Sequence, residues 1–152
     1  MDFDDNPAEE QGAEELFIGG ENETDVKDFR SAKDEVIFLI DCGATMFTKN
    51  SEDEIPFFMV MNAAICYIKD KIIASEGDHL GIIFFNTDST ANHMNFPNLF
   101  VYQDLAESDA ERVKQLQTLV QDREYTFGRS DALLVDALWL CHDIFTRSSK
   151  TY

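Results

Sequence analysis

The stretch VIFLID, residues 36–41, is a continuous apolar run that ends on a carboxylate. Its short length and its β-branched residues are typical of a strand that is buried on both faces of a parallel sheet. Residues 80–85 form a second run of the same kind. Residues 99–105 predict a third strand, in which Tyr102 and Asp104 indicate a more exposed position at the sheet edge.

Three helices are predicted between and after these strands. The first covers residues 56–73, where apolar side chains recur at helical spacing behind Pro56. Ser108 and Glu111 form a capping box for the second helix, which extends to about residue 121. The third covers residues 131–146. Its predicted apolar face consists of Leu134, Leu138, Cys141 and Phe145, with Leu133, Ala137 and Ile144 beside them.

The order of the elements is strand, helix, strand, strand, helix, helix. An alternating pattern with a first crossover helix predicts an α/β fold with a Rossmann-like, mostly parallel sheet. The sequence ends directly after a helix, where an α/β chain would return to its sheet. We therefore expect the fold to be incomplete at the C-terminus.

Negative charge is concentrated at the start of the chain. Residues 1–28 hold eleven acidic residues and one lysine, so they carry −10 of the net charge of −18. This composition predicts an acidic disordered tail over residues 1–33, followed by an α/β domain over residues 34–152. The tail is a solubilising arm, a screen against non-specific DNA contact, or a docking segment that uses the short apolar patch Leu16, Phe17 and Ile18.

The bulk composition excludes several classes of protein. Twelve scattered Lys and Arg residues against a net charge of −18 disfavour a direct grip on nucleic acid. No apolar run is long enough to cross a bilayer, and the amino terminus has no feature of a signal or transit peptide. Three distant cysteines fit neither a disulfide framework nor a metal motif, so we expect buried or inert thiols.

The strand that ends on Asp41 and the small-residue loop behind it resemble the start of a von Willebrand factor A domain. In that family the loop carries Asp-x-Ser-x-Ser and holds a divalent cation through oxygen ligands. Here the loop reads DCGAT, so the middle ligand position is Gly43, which has no side-chain oxygen. We expect a degenerate metal site at Asp41, Gly43 and Thr45, no metal or other cofactor, and a loop-ordering role for Asp41.

A longer series of motifs resembles the amino-terminal domain of the smaller subunit of the Ku heterodimer. The motifs follow in order over residues 34–146, and acidic residues before the first strand also fit that subunit. They are VIFLID at 36–41, AxMF at 44–47, SEDE at 51–54, PF at 56–57, KIIAS at 71–75, GIIFFNT at 81–87, NFxNLxVxQDL at 95–105 and GxSDxxLxDALWLCxxIF at 128–145, where x is a position outside the match.

The resemblance implies a nuclear protein with a three-layer von Willebrand A-type sandwich, acting in double-strand-break repair by non-homologous end joining and at telomeres. Members pair with the larger Ku subunit and encircle DNA ends through a central barrel that is absent from this chain. The amino-terminal domain serves as a platform for other end-joining proteins. Trp139 is then either a core residue of the last helix or an exposed anchor for a partner.

The family is also labelled an ATP-dependent helicase subunit and is linked to lyase activity on abasic DNA ends. No Gly-x-x-x-x-Gly-Lys-Ser/Thr loop is present to hold phosphates. The lyase amine would fall on Phe29, and the nearby Lys27 and Lys33 lie among acids that favour the non-nucleophilic ammonium. We expect no enzymatic activity in this chain.

Three hypotheses follow from the sequence. The first is a repair scaffold of the Ku type. The second is a metal-dependent ligand-binding von Willebrand A domain outside Ku. The third is an abasic-end lyase or a helicase-associated subunit.

Overall fold

The computed structural model describes residues 33–74, 77–122 and 131–149. Its elements are β1 (Glu35–Asp41), a short 3-10 helix (Ala44–Phe47), α1 (Pro56–Ala74), β2 (His79–Phe85), β3 (Leu99–Glu107), α2 (Ala110–Asp122) and α3 (Leu134–Ser148). The predicted order of elements is confirmed, although α3 begins three residues later than predicted. The predicted acidic tail lies outside the described residues, apart from Lys33.

The described strands form one mixed sheet in the order β1-β2-β3. β1 and β2 are parallel, with Ile37 opposite Gly81, and α1 supplies the crossover that a parallel pair requires. β3 runs antiparallel to β2 and lies at the edge, as its Tyr102 and Asp104 predicted. The sheet is therefore less parallel in its described part than the sequence pattern indicated.

Helices cover both faces of β2. Successive side chains of a strand point to opposite faces, so a different set of β2 residues packs on each helical layer. Leu80, Ile82 and Phe84 belong to a cluster with the inner faces of α1 and α2. Ile83 packs on the other side with Leu99 and the inner face of α3. The predicted three-layer α/β class is confirmed. In the described helices, no stretch is both long and apolar enough to cross a membrane.

An irregularity in the β2–β3 register is fixed by a single arginine. The guanidinium of Arg112 donates to the carbonyls of Leu80 and Asp104, each at 2.7 Å. The register shifts next to Gly81, where a Cβ would lie 3.3 Å from the Leu105 amide nitrogen. Glycine therefore allows the two strands to approach, and Arg112 holds them to α2.

The start of α2 differs in detail from the predicted capping box. The amide of Arg112 donates to the carboxylate of Asp109 at 2.8 Å, and α2 begins at Ala110. The capping side chain is therefore Asp109, and the prediction that Ser108 caps this helix was wrong. A carboxylate at this position also interacts favourably with the helix dipole.

The predicted apolar face of α3 was wrong in its first half. Ala137 and Leu140 are fully buried, whereas the side chains of Leu134 and Leu138 are 54% and 55% exposed. Apart from Asp136, the N-terminal half of α3 is apolar, so helical periodicity could not select the buried face. Contact with Ile83 selects it instead.

Phe57 provides a test of the core on the α1 side of the sheet. Its side chain has no exposed surface, and its ring lies 4.8 Å from that of Phe47 and 5.9 Å from that of Phe84. We expect Phe57→Ala to lower the free energy of unfolding by about 3–5 kcal/mol, because a cavity replaces these contacts. Urea unfolding followed by circular dichroism measures the change.

The matched control is Met59→Ala, two residues along the same helix. Met59 is 45% exposed, so its truncation should change the free energy of unfolding by no more than about 0.5 kcal/mol. Equal losses for the two variants would show that Phe57 is not a core residue.

Candidate functional site

The carboxyl ends of β1 and β2 meet at one edge of the sheet, where α/β folds commonly bind ligands. Asp41 ends β1, and its Oδ1 accepts hydrogen bonds from the Gly43 amide and from the Asn86 side-chain amide, both at 2.7 Å. Asn86 follows β2 directly. Its own Oδ1 accepts from the Ala132 amide at 2.7 Å, so one side chain joins both strand ends to the segment before α3.

This geometry determines what the Asp41 loop can do chemically. Two donors already occupy Asp41 Oδ1, and Gly43 offers no side-chain oxygen. Thr45 is exposed within the short 3-10 helix. In the described part of the chain, no three His, Cys, Asp or Glu side chains are grouped to hold a metal. The arrangement supports a loop-ordering role for Asp41, and the degenerate metal site stays a prediction.

Asn86 is the residue whose role sequence reasoning missed, since it was noted only as part of the GIIFFNT motif. Its φ of 61° lies in the left-handed region, which asparagine tolerates better than most residues. The available signal was its position directly after a buried strand. Phe85, the residue before it, pairs in register with Asp41.

A second candidate site is an apolar patch on the outer side of α3. Trp139 is 58% exposed, so its interpretation as a core residue was wrong, and its role as a partner anchor stays a prediction. Its ring lies 5.9 Å from that of His142. The α3 patch consists of Leu133, Leu134, Val135, Leu138 and Trp139, each more than half exposed. The other predicted partner residues, Leu16, Phe17 and Ile18, lie outside the described residues.

A side-chain contact joins α3 to the loop before β3. His93, in the loop before β3, contacts the Asp143 carboxylate at 2.6 Å, and Arg147 contacts the same oxygen at 2.6 Å. The hydrogen bond from His93 is the main reason that the pKa of Asp143 is lowered from its ordinary value. His93 and Arg147 line an open cleft of about 550 Å³ between β3 and α3.

The described thiols have different environments. Cys42 is fully buried, and burial raises its pKa to about 12, which keeps the thiol protonated and unreactive at neutral pH. Burial also raises the pKa of Cys141, which is half-buried. Cys66 is exposed on α1, so the expectation of an inert thiol there does not follow from burial.

The fold and these sites can be compared with known proteins. Residues 35–152 match the family model described as the Ku70/Ku80 N-terminal alpha/beta domain. The chain belongs to this family. The Ku resemblance predicted from the motif series is therefore confirmed over residues 35–152.

Relatives from distant organisms agree with this assignment. The chain is 32% identical over 126 residues to a Dictyostelium discoideum protein named ATP-dependent DNA helicase ku70, with 80% of this chain and 14% of the relative covered. It is 36% identical over 123 residues to mouse X-ray repair cross-complementing protein 6, covering 76% of this chain and 20% of that relative. A tick relative, ATP-dependent DNA helicase 2 subunit 1 of Rhipicephalus appendiculatus, is 35% identical over 132 residues, with 84% of this chain and 22% of the relative covered.

The chain thus spans between 14% and 22% of the length of these relatives. What the match establishes is the identity of the domain and its fold. The activity of a whole Ku subunit is a separate question.

The bridge made by Asn86 can be tested without disturbing its backbone. Asn86→Gly keeps a residue that tolerates the positive φ but removes the bonds to Asp41 and Ala132. We expect the free energy of unfolding to fall by about 1–2 kcal/mol in urea unfolding experiments. Asn95→Gly is the matched control, because Asn95 is exposed with a φ of 54°, and it should be nearly neutral. Equal effects of the two changes would show that the hydrogen bonds of Asn86 do not stabilise the fold.

The hydrogen bonds of the Asp41 loop lead us to expect that it does not bind a divalent metal ion. Calorimetric titration with magnesium or manganese should give no saturable heat that depends on Asp41, because its Oδ1 already accepts two hydrogen bonds. Asp41→Asn is the matched variant, since it separates a defined site from diffuse attraction to an acidic protein. Saturable binding that disappears in Asp41→Asn would favour the metal-dependent von Willebrand A hypothesis.

Proposed function

We propose that this chain is the interaction domain of a Ku subunit that acts in the nucleus, in double-strand-break repair by non-homologous end joining and at telomeres. The observation that carries the proposal is the family match over residues 35–152. The mouse relative's name, X-ray repair cross-complementing protein 6, refers to repair. The motif series had implied the same role.

The negative charge of the chain indicates that this domain does not supply the contacts to DNA. Counterion release on DNA requires clustered Lys and Arg, and this chain has a net charge of −18. Double-stranded DNA ends are therefore held by parts of the parent subunit outside this chain and by the larger Ku subunit, its partner in the heterodimer. This domain contributes protein contacts, for which the α3 patch is the exposed candidate.

The domain acts without catalysis in this proposal. Several relatives carry the name ATP-dependent DNA helicase, but the sequence has no loop of the Gly-x-x-x-x-Gly-Lys-Ser/Thr type for phosphates. For the lyase alternative, Phe29 stands where the amine is expected, and it lies outside the described residues with Lys27. Lys33 is exposed, without the desolvation that activates a nucleophilic amine.

The repair role predicts where the protein is found after DNA damage. An antibody against residues 1–28 should enrich chromatin next to a break made by a site-specific nuclease, because a Ku subunit binds ends without reading sequence. Chromatin immunoprecipitation measures the enrichment, and the same cells without nuclease are the control. Equal recovery from cut and uncut chromatin would contradict the repair role.

A second arm separates the platform from the DNA-gripping parts. The purified chain, titrated against a labelled blunt duplex, should give no saturable change in fluorescence anisotropy, because its negative charge repels the phosphates. Tight binding of ends by the isolated chain would contradict the assignment of DNA contact to other parts of Ku.

A further inference from the structure

Two histidines line the cleft between β3 and α3, and each of them reaches a carboxylate on another element. The Nε2 atom of His93, in the loop before β3, lies 2.6 Å from Oδ2 of Asp143 on α3. The Nδ1 atom of His79, on β2, lies 3.7 Å from Oε1 of Glu35 on β1. Histidine is the side chain whose charge ordinarily changes between about pH 5 and 8, so the charge of this cleft can change near neutral pH.

Both carboxylates also take part in contacts of the C-terminal half of α3. The Asp143 oxygen that faces His93 lies 2.6 Å from Nε of Arg147, one turn further along the helix. The Oγ atom of Ser148, at the end of α3, donates to the Glu35 oxygen that faces His79. The two pairs therefore connect α3 with the loop before β3 and with the first two strands.

The charges around the cleft decide the direction in which protonation acts. Asp104 and Glu107 of β3 line the cleft in addition to the two histidines, whose own carboxylates lie beside it. Among the described residues of its lining, Arg147 is the one Lys or Arg. With neutral histidines, four carboxylates thus surround one guanidinium, and carboxylates that are crowded together repel one another. Protonation of both histidines would set three cations against these four carboxylates.

Two further observations support this direction. The hydrogen bond from His93 is the first cause that lowers the pKa of Asp143 below its ordinary value, so this carboxylate stays ionised between pH 6 and 8 while imidazoles titrate. The side chain of Arg147 is 62% exposed, so water and salt screen its repulsion of a charged His93. Attraction between the imidazolium and the carboxylate therefore outweighs the repulsion from the arginine.

We propose that the pairs His93–Asp143 and His79–Glu35, together with Ser148, form a pH-sensitive clamp that stabilises the attachment of α3 more strongly at pH 6 than at pH 8. The contact between His93 and Asp143 persists when the imidazole is neutral, and protonation adds a Coulomb attraction to it. This stabilisation is present in the acidic part of the range, where imidazoles are charged, and is lost as the pH rises. The inference goes beyond the proposed function and does not depend on it.

The test compares how pH changes the stability of the 152-residue chain and of His93→Gln. Glutamine keeps an N–H donor for Asp143 but cannot become charged. Urea unfolding followed by circular dichroism at pH 6 and pH 8 gives the unfolding equilibrium constant of each protein. The constant at pH 8 divided by the constant at pH 6 should be about threefold larger in the unchanged chain than in His93→Gln, which is the size expected for a partly exposed ion pair.

Two further variants show whether the effect belongs to the clamp. In an Asp143→Asn background, His93→Gln should leave the ratio unchanged, because the carboxylate that attracts the imidazolium is gone. His142→Gln is the matched control, since His142 is an exposed histidine on the same helix that faces Trp139 instead of the cleft. It should leave the ratio unchanged. If His93→Gln does not fold, His79→Gln takes its place and should lower the ratio in the same direction.

Three results would overturn the inference. The first is an equal or larger pH ratio in the folded His93→Gln or His79→Gln variant. The second is an equally large drop of the ratio in His142→Gln. The third is an undiminished effect of His93→Gln when asparagine stands at position 143. These outcomes are separate from enrichment at DNA breaks, so the clamp and the repair role can fail independently.

Discussion

The burial of β2 between two helical layers is the constraint on which the rest of the structure depends. Its inner residues, 80–84, are all buried, and the strand pairs with β1 on one side and β3 on the other. Leu80, Ile82 and Phe84 require the α1 and α2 layer, whereas Ile83 requires α3. Because burial of apolar area is the main favourable term in folding, the positions of these elements follow from satisfying both faces of one strand.

The end of that strand determines the character of the candidate site. Asn86 follows β2 and ties Asp41 to the segment before α3, so the carboxylate that could serve a metal instead orders a loop. The edge of the sheet where related folds carry ligand chemistry is thereby used for structure. Large apolar side chains are exposed elsewhere, on the outer side of α3, where Asp131 and Asp136 are close in sequence. That distribution agrees with the proposed role of the domain as an acidic platform for proteins.

The strands and the order of the helices could be predicted from the sequence, because apolar runs and helical repeats report burial directly. The family could be predicted from the series of motifs. It was insufficient where several faces are equally apolar. Leu134 and Leu138 matched the helical repeat as well as Ala137 and Leu140 do, and only packing on Ile83 distinguishes them. The Asn86 bridge and the Arg112 bond to the Leu80 carbonyl join residues more than 30 positions apart, so no local sequence pattern predicts them. Ser108 and Asp109 were both suitable caps, and the backbone geometry selected Asp109.

The central claim is that this acidic α/β domain works as part of a Ku heterodimer and engages DNA ends through other parts of that assembly. Immunoprecipitation from the source cells with an antibody against residues 1–28, followed by mass spectrometry, tests it most directly. We predict that the larger Ku subunit is recovered with the antigen and that recovery persists after nuclease digestion of the DNA. Recovery of the antigen without any second Ku subunit would contradict the account.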